Sequence, residues 1–158
     1  MADQKLADRL DRAAIVAEAR SWIDTPYRHQ ASLKGAGADC LGLIRGVYRA
    51  FYGSEKEPIA PYSPNWAEET GQETLRDAAR RHLVEIDAAP FRDGAPLQEG
   101  DVILIRVKDR GPAKHAAIVS GADSIIHAYD RHAVAENVLP AAWRRRIAYA
   151  FQFPGVTD

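Results

Sequence analysis

Apolar positions follow a helical period up to Pro96 and fall into short β-branched runs after it. Over residues 6–22 (LADRLDRAAIVAEARSW), Leu6, Leu10, Ala13, Ala14 and Ala17 recur at helical spacing, which predicts a first helix. It stops near Asp24-Thr25-Pro26, where the proline biases Thr25 away from helix. A loop containing Gly35 and Gly37 follows. Asp39 is placed to cap a second helix running through Phe51, with Gly53 as its stop. Residues 54–66 (SEKEPIAPYSPNW) hold three prolines, yet Ile59, Tyr62 and Trp66 are too apolar for a free tether, so the stretch reads as an ordered excursion. Thr70-Gly71-Gln72-Glu73 has the spacing of a capping box and predicts a third helix through about Val84.

Beyond Pro96, residues 101–107 (DVILIRV), 114–120, 124–129, 134–139 and 146–153 read as strands. Gly111-Pro112, Gly121-Ala122-Asp123 and Pro140 punctuate them. Helices first and sequential strands afterwards predict an α+β domain spanning residues 1–158, its N-terminal helices packed on an antiparallel sheet of about five strands.

Composition narrows the chemistry. The chain has 158 residues, 46% hydrophobic and 27% charged, which fits one globular domain. With 21 basic and 22 acidic side chains the net charge is −1, so nucleic acid is not an expected partner. A single cysteine, Cys40, excludes an intrachain disulfide and every paired-cysteine zinc site. No apolar run approaches the roughly 18 residues of a membrane span. The start, MADQKLADRLDR, lacks a signal peptide's apolar core, so synthesis in the cytoplasm is expected.

Cys40 supports two readings. On a helical wheel it falls within the arc of Leu41, Leu43, Ile44, Val47, Tyr48 and Phe51, opposite Gly42, Arg45, Gly46 and Arg49, as a core residue would. Its place in the first helical turn favours a thiolate, and its own N–H is free to serve as an oxyanion donor. A nucleophile needs a base. Of five histidines, His82 sits in the Arg-rich third helix and reads as surface, and His29 as a surface or substrate-side group. His115 shares a strand face with Ala117 and Val119, and His127 with Ile125 and Tyr129. A tight turn centred on Gly121 would set His115 directly opposite His127, with Cβ atoms about 5 Å apart. One would then take the thiol proton while the other orients it, as in catalytic triads. Two satisfied core histidines are the competing reading. A metal site from His115, His127 and His132 is disfavoured because His132 lies beyond the strand, and neither metal nor cofactor is expected. No HExxH, P-loop or GxSxG is present. Trp143-Arg144-Arg145-Arg146 reads as a solvated strand entrance.

Asp39-Cys40-Leu41-Gly42-Leu43, the run from Lys114 to Gly121, and Ile126-His127-Ala128 together resemble the three motifs of the NlpC/P60 cysteine peptidases. Thr25–Gln30 and Arg45-Gly46-Val47-Tyr48 resemble the phage-encoded branch, and Gly100–Leu104 resembles the family's entry into its sheet. The resemblance implies a papain-like α+β fold and hydrolysis of amide bonds in peptidoglycan stem peptides, often between D-γ-glutamate and diaminopimelate. It casts Cys40 as nucleophile, His115 as base and His127 as orienting residue. Tyr27 matches an aromatic that lines the site and can aid the oxyanion hole, and Asp39 a position associated with substrate binding. It also implies delivery by a phage tail or gene-transfer particle, whose proteins would be partners, and action at the cell wall. Leu41 stands where many cellular members have Ser, and Gln30-Ala31 where Gly-Gly is frequent, so the cleaved bond is less determined than the triad. A non-catalytic particle-assembly protein on the same fold and a thioester acyltransferase are the alternatives.

Overall fold

The computed structural model describes residues 10–55, 73–129 and 131–156. Asp11 caps the first helix, α1 (Arg12–Arg20), by accepting a hydrogen bond from the Ala14 amide at 2.6 Å. This helix is shorter than the 6–22 run predicts. Leu6 lies outside the described residues, Leu10 is buried ahead of the cap, and Ser21 to Asp24 turn so that Trp22 enters the core.

The stretch read as a loop carries two short strands, β1 (Ser32–Leu33) and β2 (Gly37–Ala38), which pair as a hairpin. The second helix, α2 (Cys40–Tyr52), runs from Asp39 to a Gly53 whose φ of 81° suits glycine, as the sequence predicts. Its face opposite the apolar arc is not open to water along its whole length. A Cβ at Gly46 would stand 2.0 Å from the Trp22 ring, and one at Gly42 1.8 Å from the Ala31 carbonyl oxygen. The two glycines let α1 and the preceding loop close on α2, which is therefore packed on both sides.

The third helix, α3 (Thr74–His82), departs from the predicted capping box. Residues 70–72 lie outside the described residues, and Glu73 stands at the N-cap rather than inside the first turn. Its carboxylate binds Arg106 at 2.8 Å and the Ala113 amide at 3.1 Å instead. The helix ends at His82, and Val84 opens a strand, β3 (Val84–Ile86), held by Glu85 between Arg76 and Arg80. Of the predicted excursion, Ser54 and Glu55 are described and residues 56–66 are not; Glu55 clasps Arg45 and Arg49.

A short helix, α4 (Ala89–Arg92), leads to β4 (Val102–Arg106), β5 (Ala113–Gly121), β6 (Ser124–Ala128) and β7 (Val134–Val138). A further short helix, α5 (Ala141–Arg144), and β8 (Ile147–Gln152) complete the described elements. The main sheet has six antiparallel strands in the order β3-β8-β4-β5-β6-β7, one more than expected because β3 joins its edge. Its central strand is buried on both faces, which is why residues 101–107 are almost continuously apolar. Val102 and Leu104 pack with Leu43, Val47 and Ile118 under the N-terminal helices, while Ile103 and Ile105 pack with Ala117, Leu139 and Ala150 on the other side. This is an α+β fold.

Candidate active site

The nucleophile side is built from backbone. Asp39 is buried, and its carboxylate accepts the Gly42 amide on one oxygen and the Gln30 amide on the other, each at 2.7 Å. One side chain thus caps α2 and pins the preceding loop against it. Tyr27 bridges to Ala38 within that loop, so Tyr27 and Cys40 are carried on one unit. Cys40 is the first residue of α2 and half-buried. Its Sγ lies 4.0 Å from the Lys114 carbonyl oxygen, to which the thiol is directed. Lys114 is the extra residue of a bulge, because Ile105 pairs with His115 while Arg106 pairs with Ala113.

The histidine side is built from side chains. His115 Nε2 and His127 Nδ1 are 2.9 Å apart, and His127 Nε2 is 3.0 Å from Asn137 Oδ1. The three residues lie on β5, β6 and β7, in a row across the sheet. The register differs from the expected one. The ladder pairs Ile118 with Ile126 and Val119 with Ile125, around a turn at Ala122-Asp123 with an irregularity beside Gly121. That offset sets Ala117, not His115, across from His127. The displacement is two residues, so both histidines keep the same face, and a diagonal pair is still within reach of two imidazoles. Trp143 closes the row, its ring centroid 5.6 Å from that of His115 and 5.9 Å from that of His127.

The two sides meet in a cavity of about 560 Å³ lined by Tyr27, His29, Cys40, His115, Tyr129 and Trp143. Arg106, Lys114 and Arg146 add positive charge to its wall. Electrostatics oppose the expected thiolate. Burial, and then the Asp39 carboxylate, push the Cys40 thiol up to about 12, against backbone amides that pull it down. The carboxylate that caps the helix brings negative charge to the end whose dipole would have favoured a thiolate. Burial, and then His127, holds His115 down at about 3, and burial also lowers His127 against its bond to Asn137. Thiol and imidazoles are therefore all neutral at pH 7.

Cys40, His115, Tyr27 and His29 share the cavity, and His127 stands behind His115. Asp39 is beneath the site, with both carboxylate oxygens engaged by the backbone. His132 stacks on Tyr129, 5.5 Å between centroids. His82 is not a surface residue. Its ring packs edge-on against Tyr48, with Nδ1 3.1 Å from the Ala78 carbonyl oxygen. Nor is the 143–146 run simply solvated: Trp143 packs on the histidines, and Arg144 reaches the carbonyls of Phe91, Ala95 and Ala122. Sequence reasoning missed Asn137, an exposed polar residue on an edge strand whose role follows only from the β6–β7 register.

No curated protein matches the chain significantly. Among solved structures, an NlpC/P60 family protein from Bacillus cereus ATCC 10987 superposes with a TM-score of 0.62 at 18% identity, over 90% of this chain and 40% of that one. The NlpC/p60 domain of the peptidoglycan hydrolase SagA gives 0.56 at 23% identity, over 91% of this chain and 100% of that one. A Staphylococcus aureus Mu50 protein described as similar to lipoprotein, NLP/P60 family, gives 0.54 at 19% identity, over 93% and 42%. The chain thus spans less than half of the Bacillus and Staphylococcus proteins, and these likenesses are of fold. Residues 24–151, which run from the loop before Tyr27 into β8, match the NlpC/P60 family, and the chain belongs to it.

Proposed function

We propose that the protein is a cysteine amidase of peptidoglycan stem peptides, acting on a bond such as that between D-γ-glutamate and diaminopimelate. The observation that carries this reading is one cavity holding a helix-start cysteine and a histidine that is itself hydrogen-bonded to a second histidine. Membership of the family, and a neighbour that is a peptidoglycan hydrolase, support the substrate class. So does the cationic wall: stem peptides carry carboxylates, and Arg106, Lys114 and Arg146 face the cavity. Glu73 and Asp109 already partner the two arginines, so the wall attracts anions without being a bare cationic patch.

In this mechanism Cys40 Sγ attacks the amide carbon as its proton passes to His115. The sulfur–carbon bond forms, the carbon–nitrogen bond breaks, and the amine leaves with that proton. Water, giving a proton to His115, then cleaves the thioester; the acid is released and the thiol regains its proton. Since both partners rest neutral, proton transfer belongs to the attack rather than preceding it. The Cys40 N–H at the helix start and Tyr27 are the candidate oxyanion donors.

The test is the release of new amines from purified peptidoglycan by wild type and by Cys40→Ala, with circular dichroism to verify the fold. Release by wild type alone is expected. Equal release by both would sink the reading. An acyltransferase would give products heavier by the acceptor rather than by water, and a particle-assembly protein would give none.

A further inference from the structure

The row of rings contains more information than the order of its members. A neutral imidazole has one N–H and one lone pair, so each bond in the row constrains the next. An amide oxygen only accepts. With Asn137 Oδ1 3.0 Å from His127 Nε2, that nitrogen must be the donor. His127 Nδ1 then carries the lone pair, and the group facing it at 2.9 Å, His115 Nε2, must be its donor. His115 is left with a bare Nδ1, the form in which it can accept a proton from a thiol. Reversing the Asn137 amide would invert every step and leave the hydrogen on Nδ1, where it blocks the base.

Resting on the amidase reading above, we infer that Asn137 is a positioning residue that selects the proton-accepting tautomer of His115 through His127. The strand that carries it is held in place although it is the sheet's edge. The neighbouring Glu136 binds Arg20 at 3.0 and 3.1 Å. Val134 exchanges backbone hydrogen bonds of 2.9 Å with the Asp24 amide and the Thr25 carbonyl. His127 is 6% exposed and its Nε2 partner Asn137 is exposed, so water would take the place of the carboxamide if it were removed. Water can donate as well as accept. Removing Asn137 therefore loses the polarity of the row more than its packing.

The experiment compares wild type, Asn137→Ala and Asn137→Asp by nitrogen-15 NMR of the histidine rings and by steady-state kinetics on a defined muropeptide. In wild type, His127 and His115 are expected to carry their hydrogens on Nε2. In Asn137→Ala, His127 is expected to divide between tautomers and kcat to fall roughly tenfold with KM little changed, a modest part of what general-base catalysis contributes. Aspartate also only accepts, so Asn137→Asp should restore the wild-type ring pattern and most of kcat. A wild-type His115 protonated on Nδ1, an Asn137→Ala pattern identical to wild type, or an Asp variant no better than Ala would overturn the inference. If wild type turns over no muropeptide, the amidase reading fails while the ring signals still decide this one.

Discussion

The two sides of the site are made by different means. Cys40 is fixed by contacts close in sequence: Asp39 to Gly42 and Gln30, Tyr27 to Ala38, and two glycines that let neighbours close on α2. His115, His127 and Asn137 come from three strands and are aligned by ladder register and a bulge. A backbone-built side holds its position through geometry that one Cβ can ruin. A side-chain-built side tolerates substitution structurally and fails chemically. The same division separates what stability measurements report from what activity measurements report.

Breaking the histidine side should have the largest effect. His115→Ala is expected to lower amide turnover by about 10²–10⁴-fold, the usual contribution of a general base, while unfolding at pH 7 shifts by only about 1–2 kcal/mol for the partner lost by His127. A matching loss of stability would show that the two sides are not separable. Breaking the nucleophile side should do the reverse. Gly42→Ala forces a Cβ against the Ala31 carbonyl and should cost about 3 kcal/mol in denaturant unfolding, the upper end for overpacking a buried site.

Smaller changes sharpen the contrast. Asp39→Asn keeps an oxygen for the cap but removes the charge beside the thiol. Stability should fall by about 1 kcal/mol, and alkylation by iodoacetamide at pH 8 should quicken. In wild type, alkylation should climb only toward strongly alkaline pH. A plateau near neutrality would mean that the helix end prevails over burial and Asp39. Acid stability supplies a further contrast. His115 is held at about 3 in the folded chain against an ordinary 6.5, so below about 6.5 the unfolded chain binds a proton that the folded one refuses. Stability is therefore full above that pH and declines toward pH 3. The melting temperature should fall over this range, and less so in His115→Gln.

Which parts were readable from sequence follows the same division. The Asp39 cap, α2 and its Gly53 stop depend on neighbours in the chain, and so were legible. The faces of His115 and His127 were legible because strand period is two, whereas their register was not, since the turn lies at Ala122-Asp123 rather than at Gly121. Trp143 looked like part of a basic run because its three arginine neighbours dominate the local charge. The thiol's raised pKa was hidden because burial, its larger cause, comes from tertiary packing, and the carboxylate that signals a helix start adds to it. Glu73 looked like a capping-box member because nothing local reveals Arg106, 33 residues away, as its partner.

The most direct test is mass spectrometry of defined muropeptides incubated with wild type and with Cys40→Ala. The account predicts two new products from wild type whose masses sum to substrate plus one water, and none from the variant. Identical products from both proteins, or an intact substrate with folded wild type, would contradict it.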